Sequence, residues 1–297
     1  MSNYKFDRKL TALMYEAAFD DLAVLADHLT DNGQGRISLA TASREMLEQA
    51  LSAKHFTHSH CELMAAEIQS YGGNSIANLF RGGAGVSYME LLTDVAKHLR
   101  VSLPDYASEE EAESAIMSKM LQESFERMSE EDRQQLFQEV GGHYTLGSGP
   151  VTMMMLQAAI KASGFAAFKY TAILANAVAR SLLGRGLAFG ATAPLMKGIS
   201  VFAGPVGWAV TAVWTLYDLG SPAFRITVPC VIQLAYMRQK QKYEASQKGL
   251  EAAPATTSQA PQLPAPNTMV CPSCHLSTDK GKFCRECGAP LGQLRLS

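Results

Sequence analysis

Secretion signals, disulfide patterns and the motifs of common enzymes are all missing from this sequence of 297 residues. The first thirty residues hold eight charged side chains, which excludes the apolar core of a secretory signal peptide. Four of the six cysteines lie within the last thirty residues, and the other two, Cys61 and Cys230, are isolated. This distribution is typical of a reducing compartment. We therefore expect a cytoplasmic protein.

Catalytic signatures are equally scarce. The sequence contains no G-x-S-x-G, no H-E-x-x-H and no G-x-G-x-x-G placed after a strand. The acidic cluster Glu109–Glu113 is typical of a solvated helix start and not of a pair of catalytic carboxylates. The sequence therefore predicts a protein that is not an enzyme, with no catalytic residue and no organic cofactor.

Acidic residues are nearly absent from the middle of the chain. Residues 1–143 contain 12 Lys/Arg and 23 Asp/Glu, a net charge of −11, whereas residues 144–237 contain six basic residues and a single acid, Asp218. Residues 238–297 contain eight basic and four acidic residues. The total charge of −2 is therefore a cancellation between an acidic first half and a basic remainder.

The acidic region, residues 1–143, has the periodicity of amphipathic helices. Apolar residues repeat at helical spacing over residues 10–29, 41–53, 61–71 and 88–99. Ser108 followed by Glu111 forms a capping box that predicts a helix through Phe125, and a further helix is expected to start at Ser129. We therefore expect an all-α domain in this region.

The second region, residues 144–250, is strongly apolar. Its charge-free run Gly198–Tyr217 is 20 residues long, and as a helix it would span about 30 Å, the thickness of a bilayer core. Together with the shorter apolar run 187–196 it predicts a Gly/Pro-rich hydrophobic helical hairpin, residues 186–217. Gly186 and Gly190 have the G-x-x-x-G spacing that lets helices approach closely, and prolines at 194 and 205 are expected to bend the helices.

Two interpretations of this hairpin are open. It could insert into a membrane or lie on it, and the basic residues on both sides would then keep both ends in the cytoplasm. Those residues are Arg180, Arg185, Arg225, Arg238, Lys240 and Lys242. It could instead be the buried centre of a soluble bundle that the acidic helices wrap. The Gly, Ala and Thr content weakens the membrane interpretation, because these residues contribute little transfer free energy.

A tether and a small metal-binding module follow. Residues 251–268 contain four prolines and no periodicity, as in a semi-extended linker. In residues 269–297, the pairs Cys271/Cys274 and Cys284/Cys287 are nine residues apart. Two such pairs place four thiolates at tetrahedral corners, which predicts a closed structural Zn²⁺ site in a zinc ribbon. His275 in place of one cysteine is a minor alternative.

The module resembles the short zinc ribbons at bacterial protein termini, which bind protein or nucleic acid. Its basic side chains could touch phosphate: Lys280, Lys282, Arg285 and Arg295. Phe283 is the only aromatic residue, however, and we expect it to pack inside the ribbon with Leu291. We therefore favour a protein partner over nucleic acid.

Two weaker patterns have simpler explanations than a site. His55, His58 and Glu62 would share a helix face and could bind a transition metal, but histidines at an exposed helix start are commoner. The stretch Arg81–Gly85 could form an anion-binding nest before a helix. The stretch lacks the Lys-Ser/Thr of a P-loop and any preceding strand, so we favour a sharp turn between helices, which needs no ligand.

Several segments resemble a known family. The stretches 67–78, 81–82, 91–95, 204–207 and 224–238 are similar to the YaaW family of bacterial proteins, and the similarity covers residues 22–238. The middle of the chain also distantly resembles the ubiquinol-cytochrome c chaperone domain, which in that family binds a nascent membrane subunit. The resemblance implies a helical fold more than a role, and the zinc ribbon is an addition to the family pattern.

Together these features predict a non-enzymatic adaptor. Its acidic helices would cover a hydrophobic hairpin, residues 186–217, that is able to meet a hydrophobic client or the cytoplasmic face of the inner membrane, and its zinc ribbon would recruit a partner. The alternatives are a soluble regulator whose ribbon binds nucleic acid and a pore-forming effector whose hairpin inserts into a bilayer.

Overall fold

The computed structural model describes residues 7–30, 41–71, 85–139, 164–193, 224–252, 268–273, 277–279, 283–284, 287 and 290–291. The chain divides into two compact units, Met1–Gln247 and Lys248–Ser297. The first unit is helical, and the second contains a short antiparallel strand pair beside a group of cysteines. This arrangement confirms the predicted fold class, an all-α domain with a small C-terminal cysteine module.

Seven described helices come from the acidic region. They are α1 (Arg8–Tyr15), α2 (Phe19–Thr30), α3 (Thr41–Ser52), α4 (His58–Tyr71), α5 (Tyr88–His98), α6 (Glu109–Glu126) and α7 (Glu130–Glu139). Side-chain caps fix where several of them begin, because the first backbone N–H groups of a helix have no partner within it. Asp7 caps α1 and Ser87 caps α5. The predicted capping box of Ser108 and Glu111 is present at the start of α6.

Two long helices come from the apolar region, α8 (Gly164–Leu183) and α9 (Phe224–Ala252). Every residue from Phe168 to Ala179 in α8 and from Ile226 to Met237 in α9 is buried. A helix that is buried on all sides needs neighbours on all sides, and α8 packs against both α2 and α6. These parts of the apolar region therefore lie at the centre of a helical bundle, together with α2 of the acidic region, whose residues 21–30 are also buried.

The chain that follows α8 is not helical at the start of the predicted hairpin. Gly184, at φ +68°, ends the helix in a backbone conformation that favours glycine. In place of the expected helix, residues 186–189 are irregular and Gly190–Thr192 forms one 3₁₀ turn. Gly186 lies against α8 itself, where an added Cβ would come within 2.5 Å of Asn176 Oδ1. Among the described residues, the close neighbours of Gly186 are therefore side chains of α8, Asn176 and Arg180.

The remainder of the hairpin, residues 194–217 with its two prolines and the run Gly198–Tyr217, lies outside the described residues. Within the part of the chain that the structure describes, no helix combines the length and the apolarity needed to cross a bilayer.

The Gln69 side chain joins the starts of α1 and α5 to α4. Its Oε1 accepts a hydrogen bond from the Asp7 N–H at 3.0 Å, and its Nε2 donates to the Val86 carbonyl at 2.8 Å. The Val86 N–H donates back to the Gln69 carbonyl at 3.1 Å. Gly85 passes so close to this residue that an added Cβ would lie 2.7 Å from the Gln69 carbonyl carbon. The absence of a side chain at Gly85 is therefore a packing requirement.

We expect Gly85→Ala to destabilise the helical unit by about 1–3 kcal/mol, because a backbone atom cannot move aside as a flexible side chain can. Gly164→Ala is the matched control, since an added Cβ at the first residue of α8 meets nothing within 4 Å. Urea unfolding of both variants measures the effect. Equal unfolding midpoints for the two would contradict the close packing at Gly85.

The second unit contains β1 (Thr268–Val270) and β2 (Ser277–Asp279). The two strands pair antiparallel, with Met269 opposite Thr278. Further along the chain, Phe283 and Pro290 form an isolated antiparallel bridge. The unit thus has two short antiparallel pairings, with Cys271 between the strands of the first and Cys284 and Cys287 between the residues of the second.

Candidate functional site

Three cysteines of the second unit come together as a candidate metal centre. The sulfur atoms of Cys271, Cys284 and Cys287 lie within 4.8 Å of one another, and no other group of three such ligands occurs among the described residues. The Cys271 and Cys287 sulfurs are 3.6 Å apart. Two thiolates on one tetrahedral ion, each about 2.3 Å from it, would be about 3.8 Å apart, whereas disulfide sulfurs are bonded at about 2.0 Å. The three residues can therefore hold a metal ion.

The local fold presents these sulfurs from two knuckles. The Ser273 N–H donates to Cys271 Sγ at 3.4 Å, the type of contact that orients and stabilises a metal-bound thiolate. Cys271 and Cys284 are buried, Cys287 is exposed, and Leu291 packs against the two buried cysteines. Cys274 and His275 lie outside the described residues, so the four-cysteine set remains a prediction.

The expectation that Phe283 packs inside the ribbon is wrong. Its side chain is 63 % exposed, whereas the neighbouring Cys284 is 3 % exposed. The reason is the alternation of an extended chain, in which successive side chains point to opposite sides. Because Cys284 turns toward the other cysteines, Phe283 must turn away from them. Leu291 does lie inside, as expected.

The histidine group near the start of α4 makes ordinary structural contacts. His58 stacks on Tyr15 with 4.0 Å between ring centroids, and the Tyr15 hydroxyl donates to Glu62 at 2.9 Å. His60 Nδ1 accepts from the Thr57 backbone N–H at 3.0 Å. Burial raises the pKa of the nearby Cys61 thiol to about 11, which keeps it protonated and a poor metal ligand. The side chains of this group therefore stack and form hydrogen bonds at the start of a helix, and they do not form a metal site among the described residues.

The second candidate for a functional element is a charged interface between α9 and the acidic helices. Arg238 donates to both carboxylate oxygens of Glu113, at 2.8 and 3.1 Å, and to Glu109 at 3.3 Å. The Tyr88 hydroxyl donates to Glu113 at 2.8 Å. Burial raises the pKa of Glu113, and the hydrogen bonds from Arg238 and Tyr88 oppose that effect. For Arg238, burial alone would lower the pKa, but the contacts with Glu113 outweigh it and raise the pKa.

Further ion pairs continue this interface. Lys240 donates to Asp21 at 2.7 Å with both side chains buried, and Lys242 pairs with Glu110 at the surface. Burial raises the pKa of Asp21, against the opposing effect of Lys240. Arg185, which precedes the predicted hairpin in the sequence, pairs with Asp27.

These ion pairs give the basic residues that flank the hairpin a structural role within the helical unit. The sequence suggested that they could face lipid headgroups, but Arg185, Arg238, Lys240 and Lys242 are paired with acidic residues from the first 143 positions. Acidic residues of the first half of the chain thus form ion pairs with basic residues of the second half inside the helical unit. The signal was present in the composition, in which an acidic half precedes a basic one.

Glu67 is a buried carboxyl group whose pKa is raised by burial, against the opposing hydrogen bond from Ser43 at 2.8 Å. A folded-state pKa above the unfolded value means that the contribution to stability is present below the unfolded pKa and is lost as pH rises through the folded pKa. We therefore expect Glu67→Gln to raise the melting temperature at pH 7.5 and to leave it unchanged near pH 3, because the charge is absent there in both states.

Glu111→Gln provides the contrast of opposite sign. The Ser108 backbone N–H and hydroxyl lower the pKa of the exposed Glu111, so its contribution is present above the unfolded pKa and is lost as pH falls through the folded pKa. We expect this variant to lower the melting temperature at pH 7.5. Thermal melts across pH measure both variants, and a Glu67→Gln variant less stable than the parent chain at pH 7.5 would contradict the sign.

This chain is similar to known proteins over most of its length. The family model described as ubiquinol-cytochrome C chaperone matches residues 58–232. A UPF0174 protein of Helicobacter pylori strain J99 is 33% identical over 259 residues, which cover 84% of this chain and 98% of that protein. The UPF0174 protein YaaW of Escherichia coli strain K12 is 30% identical over 241 residues, covering 80% of this chain and 96% of YaaW. No solved structure matches the chain.

Proposed function

The chain belongs to the ubiquinol-cytochrome C chaperone family and to the UPF0174 family, as its sequence resemblance indicated, and from this premise we propose that it is a non-enzymatic, client-binding protein of the chaperone or assembly type. The family is named for a chaperone, which supports a role in binding another protein. Among the described residues, the buried carboxylates of Glu113 and Asp21 are held in ion pairs with Arg238 and Lys240, as a structural frame requires.

The helical unit is the frame in this proposal. The observation that carries it is the set of pairs between α9 and the acidic helices, led by Arg238 with Glu113 and Lys240 with Asp21. With Arg185 on Asp27, ion pairs hold the chain on both sides of residues 194–223. A segment between two anchored ends can change partners while the bundle stays folded. The frame therefore supports exchange of a client without unfolding.

The client-binding element is the predicted hairpin, residues 186–217. Its charge-free run Gly198–Tyr217 is too apolar to face water at low cost, since burying apolar surface is worth roughly 25 cal/mol per Å². Leu187 and Phe189, at the start of the hairpin, already pack on the core. A hydrophobic client would pack on the remaining hairpin residues. Because one apolar contact would be exchanged for another, this binding would need little net free energy.

A second candidate for the occupant is the bilayer. The 20-residue length of the charge-free run favours it, because about 20 apolar residues match the hydrocarbon thickness. The pairing of four of the six flanking basic residues with acids of the helical unit speaks against it, since the buried pairs of Arg238 and Lys240 leave those cations unable to face lipid headgroups. We therefore propose a protein client first and peripheral binding at the cytoplasmic face of the inner membrane second.

The ribbon is proposed to hold one Zn²⁺ through Cys271, Cys274, Cys284 and Cys287 and to recruit a partner. The 3.6 Å separation of the Cys271 and Cys287 sulfurs and the all-cysteine ligand set support zinc, which binds cysteine in tetrahedral structural sites. Four thiolates close the coordination shell, so the ion would fold the module and would not catalyse a reaction.

Client binding is tested with a fluorescein-labelled apolar peptide of about 20 Leu and Ala residues with lysine ends, the length of a membrane span. The full chain is compared with a variant in which residues 198–217 become a Gly/Ser segment of equal length. We expect the full chain to bind and the variant to lose at least tenfold in affinity with unchanged helicity. Equal binding, or a variant that unfolds because the segment is core, would reject the proposal.

The bilayer alternative is tested in parallel by flotation with vesicles of phosphatidylethanolamine and phosphatidylglycerol. We expect the full chain to stay at the bottom of the gradient while it binds the peptide. Flotation that depends on residues 198–217, without peptide binding, would make the membrane the occupant. Leakage of a dye from the same vesicles would instead identify a pore-forming protein.

A further inference from the structure

The ribbon has an inner face that serves the metal centre and an outer face that does not. The inner face carries Cys271, Cys284 and Leu291, which are buried together. Phe283 and Pro290 are directly opposite in an antiparallel bridge, so their side chains share the other face, and both are exposed. A small module with few apolar residues thus leaves an aromatic ring and a proline side by side in water.

The size of this apolar face limits the kind of partner that it can bind. A stable protein interface needs about 20 to 30 residues on each side. Residues 268–291 would have to commit nearly their whole surface to reach that number. Single-stranded nucleic acid needs far less, because one exposed aromatic ring holds one base by stacking, worth about 1–3 kcal/mol. The exposed pair of Phe283 and Pro290 is large enough to stack one base, but it is too small for a stable protein interface.

The charge of the sequence around Phe283 agrees with a polyanionic partner. Residues 279–286 carry three basic side chains and two acids, Asp279 and Glu286, and residues 269–297 as a whole carry a net charge of +2. Basic residues next to an aromatic residue supply the two contacts that sequence-tolerant binding of a single strand uses, attraction to phosphate and stacking on bases. The expectation of a protein partner rested on Phe283 being inside the ribbon, which it is not.

We propose that the outer face of the ribbon binds single-stranded nucleic acid, with the Phe283 ring stacked on a base. This assignment deepens the recruiting role proposed for the ribbon and rests on it. It concerns the second unit alone and is independent of client binding by the helical unit. The bound strand contacts the face opposite the cysteines, so the metal centre folds the site and does not touch the ligand.

The test measures fluorescence anisotropy of labelled oligouridylate and oligothymidylate, about 15 nucleotides long, with the zinc-loaded full chain. We expect binding at about 50 mM salt, with log K falling against log salt at a slope of about −2, as three phosphate contacts on a single strand give. Phe283→Ala should weaken binding about tenfold or more, and Phe283→Trp should retain it. Tyr106→Ala, which removes an exposed aromatic from the helical unit, is the control and should change nothing.

Each outcome supports or overturns nucleic-acid binding by the ribbon, provided that the zinc content is equal in all variants. No binding by the zinc-loaded chain overturns the assignment and leaves a protein as the ribbon's partner, with the metal site intact. Binding that Phe283→Ala does not weaken would be charge attraction without a stacking site and also overturns it. So would equal affinity for a duplex of the same length, because stacked and paired bases are not available to Phe283. A chain that lacks zinc would instead refute the proposed ribbon itself.

Discussion

Arg238→Met is expected to destabilise the helical unit by about 3–5 kcal/mol, because it leaves the carboxylate of Glu113 buried without its cation. Glu113 is 2% exposed and accepts three hydrogen bonds, two of them from Arg238. Removing one member of a buried pair costs far more than the net value of the pair, since the partner keeps its desolvation penalty. Urea unfolding followed by circular dichroism measures the change.

The double variant Arg238→Met with Glu113→Gln separates this explanation from lost packing. The neutral amide removes the stranded charge and still accepts the hydrogen bond from Tyr88, so most of the lost stability should return. Lys242→Met is the surface control, because Lys242 and Glu110 are largely exposed and such pairs contribute under about 1 kcal/mol. A double variant no more stable than Arg238→Met would contradict the role of the buried charge.

Cys284→Ser is expected to remove the metal completely, from one Zn²⁺ per chain to none. The loss of one thiolate from the proposed four-cysteine site would forfeit much of a binding free energy that is about 10–16 kcal/mol for structural zinc, and that free energy would fold the module. The helical unit is a separate compact body, so its unfolding transition should not move. Metal analysis of the purified chain and protection of the C-terminal segment from protease measure the two effects.

Cys61→Ala is the matched control for this experiment. Cys61 is buried in the helical core and belongs to no metal-ligand group among the described residues, so zinc content should stay at one per chain. Zinc that persists in the Cys284→Ser variant and is lost when His55 and His58 are replaced would move the metal to α4 and reject the ribbon site.

Local signals in the sequence predicted much of the helical unit. Caps and periodicity act over a few residues, and the capping box at Ser108 and the helices around it are therefore readable from the sequence. The end of α8 is also a local signal, because Gly184 takes a positive φ there, but the apolar run that follows hid it. Over residues 186–192 the structure has irregular chain and one 3₁₀ turn in place of the helix predicted from the apolar run 187–196.

The ion pairs show where sequence reasoning stops. The composition displays an acidic half and basic residues beyond it, but which acid meets which base depends on packing between positions more than 100 residues apart, as for Glu113 and Arg238. The same basic residues fit a membrane topology rule and a buried interface equally well until the partner helices are placed. In the ribbon, alternation next to Cys284 could have predicted the outward direction of Phe283.

Hydrogen–deuterium exchange of the full chain, alone and with the apolar peptide, measures whether the bundle stays folded while the hairpin binds its client. We expect slow exchange in α8 and over Ile226–Met237 in both states, with added protection on peptide binding confined to residues 194–217 of the hairpin. If peptide binding instead loosens α8, or leaves residues 194–217 unchanged, the helical unit is not a fixed frame around a client-binding segment.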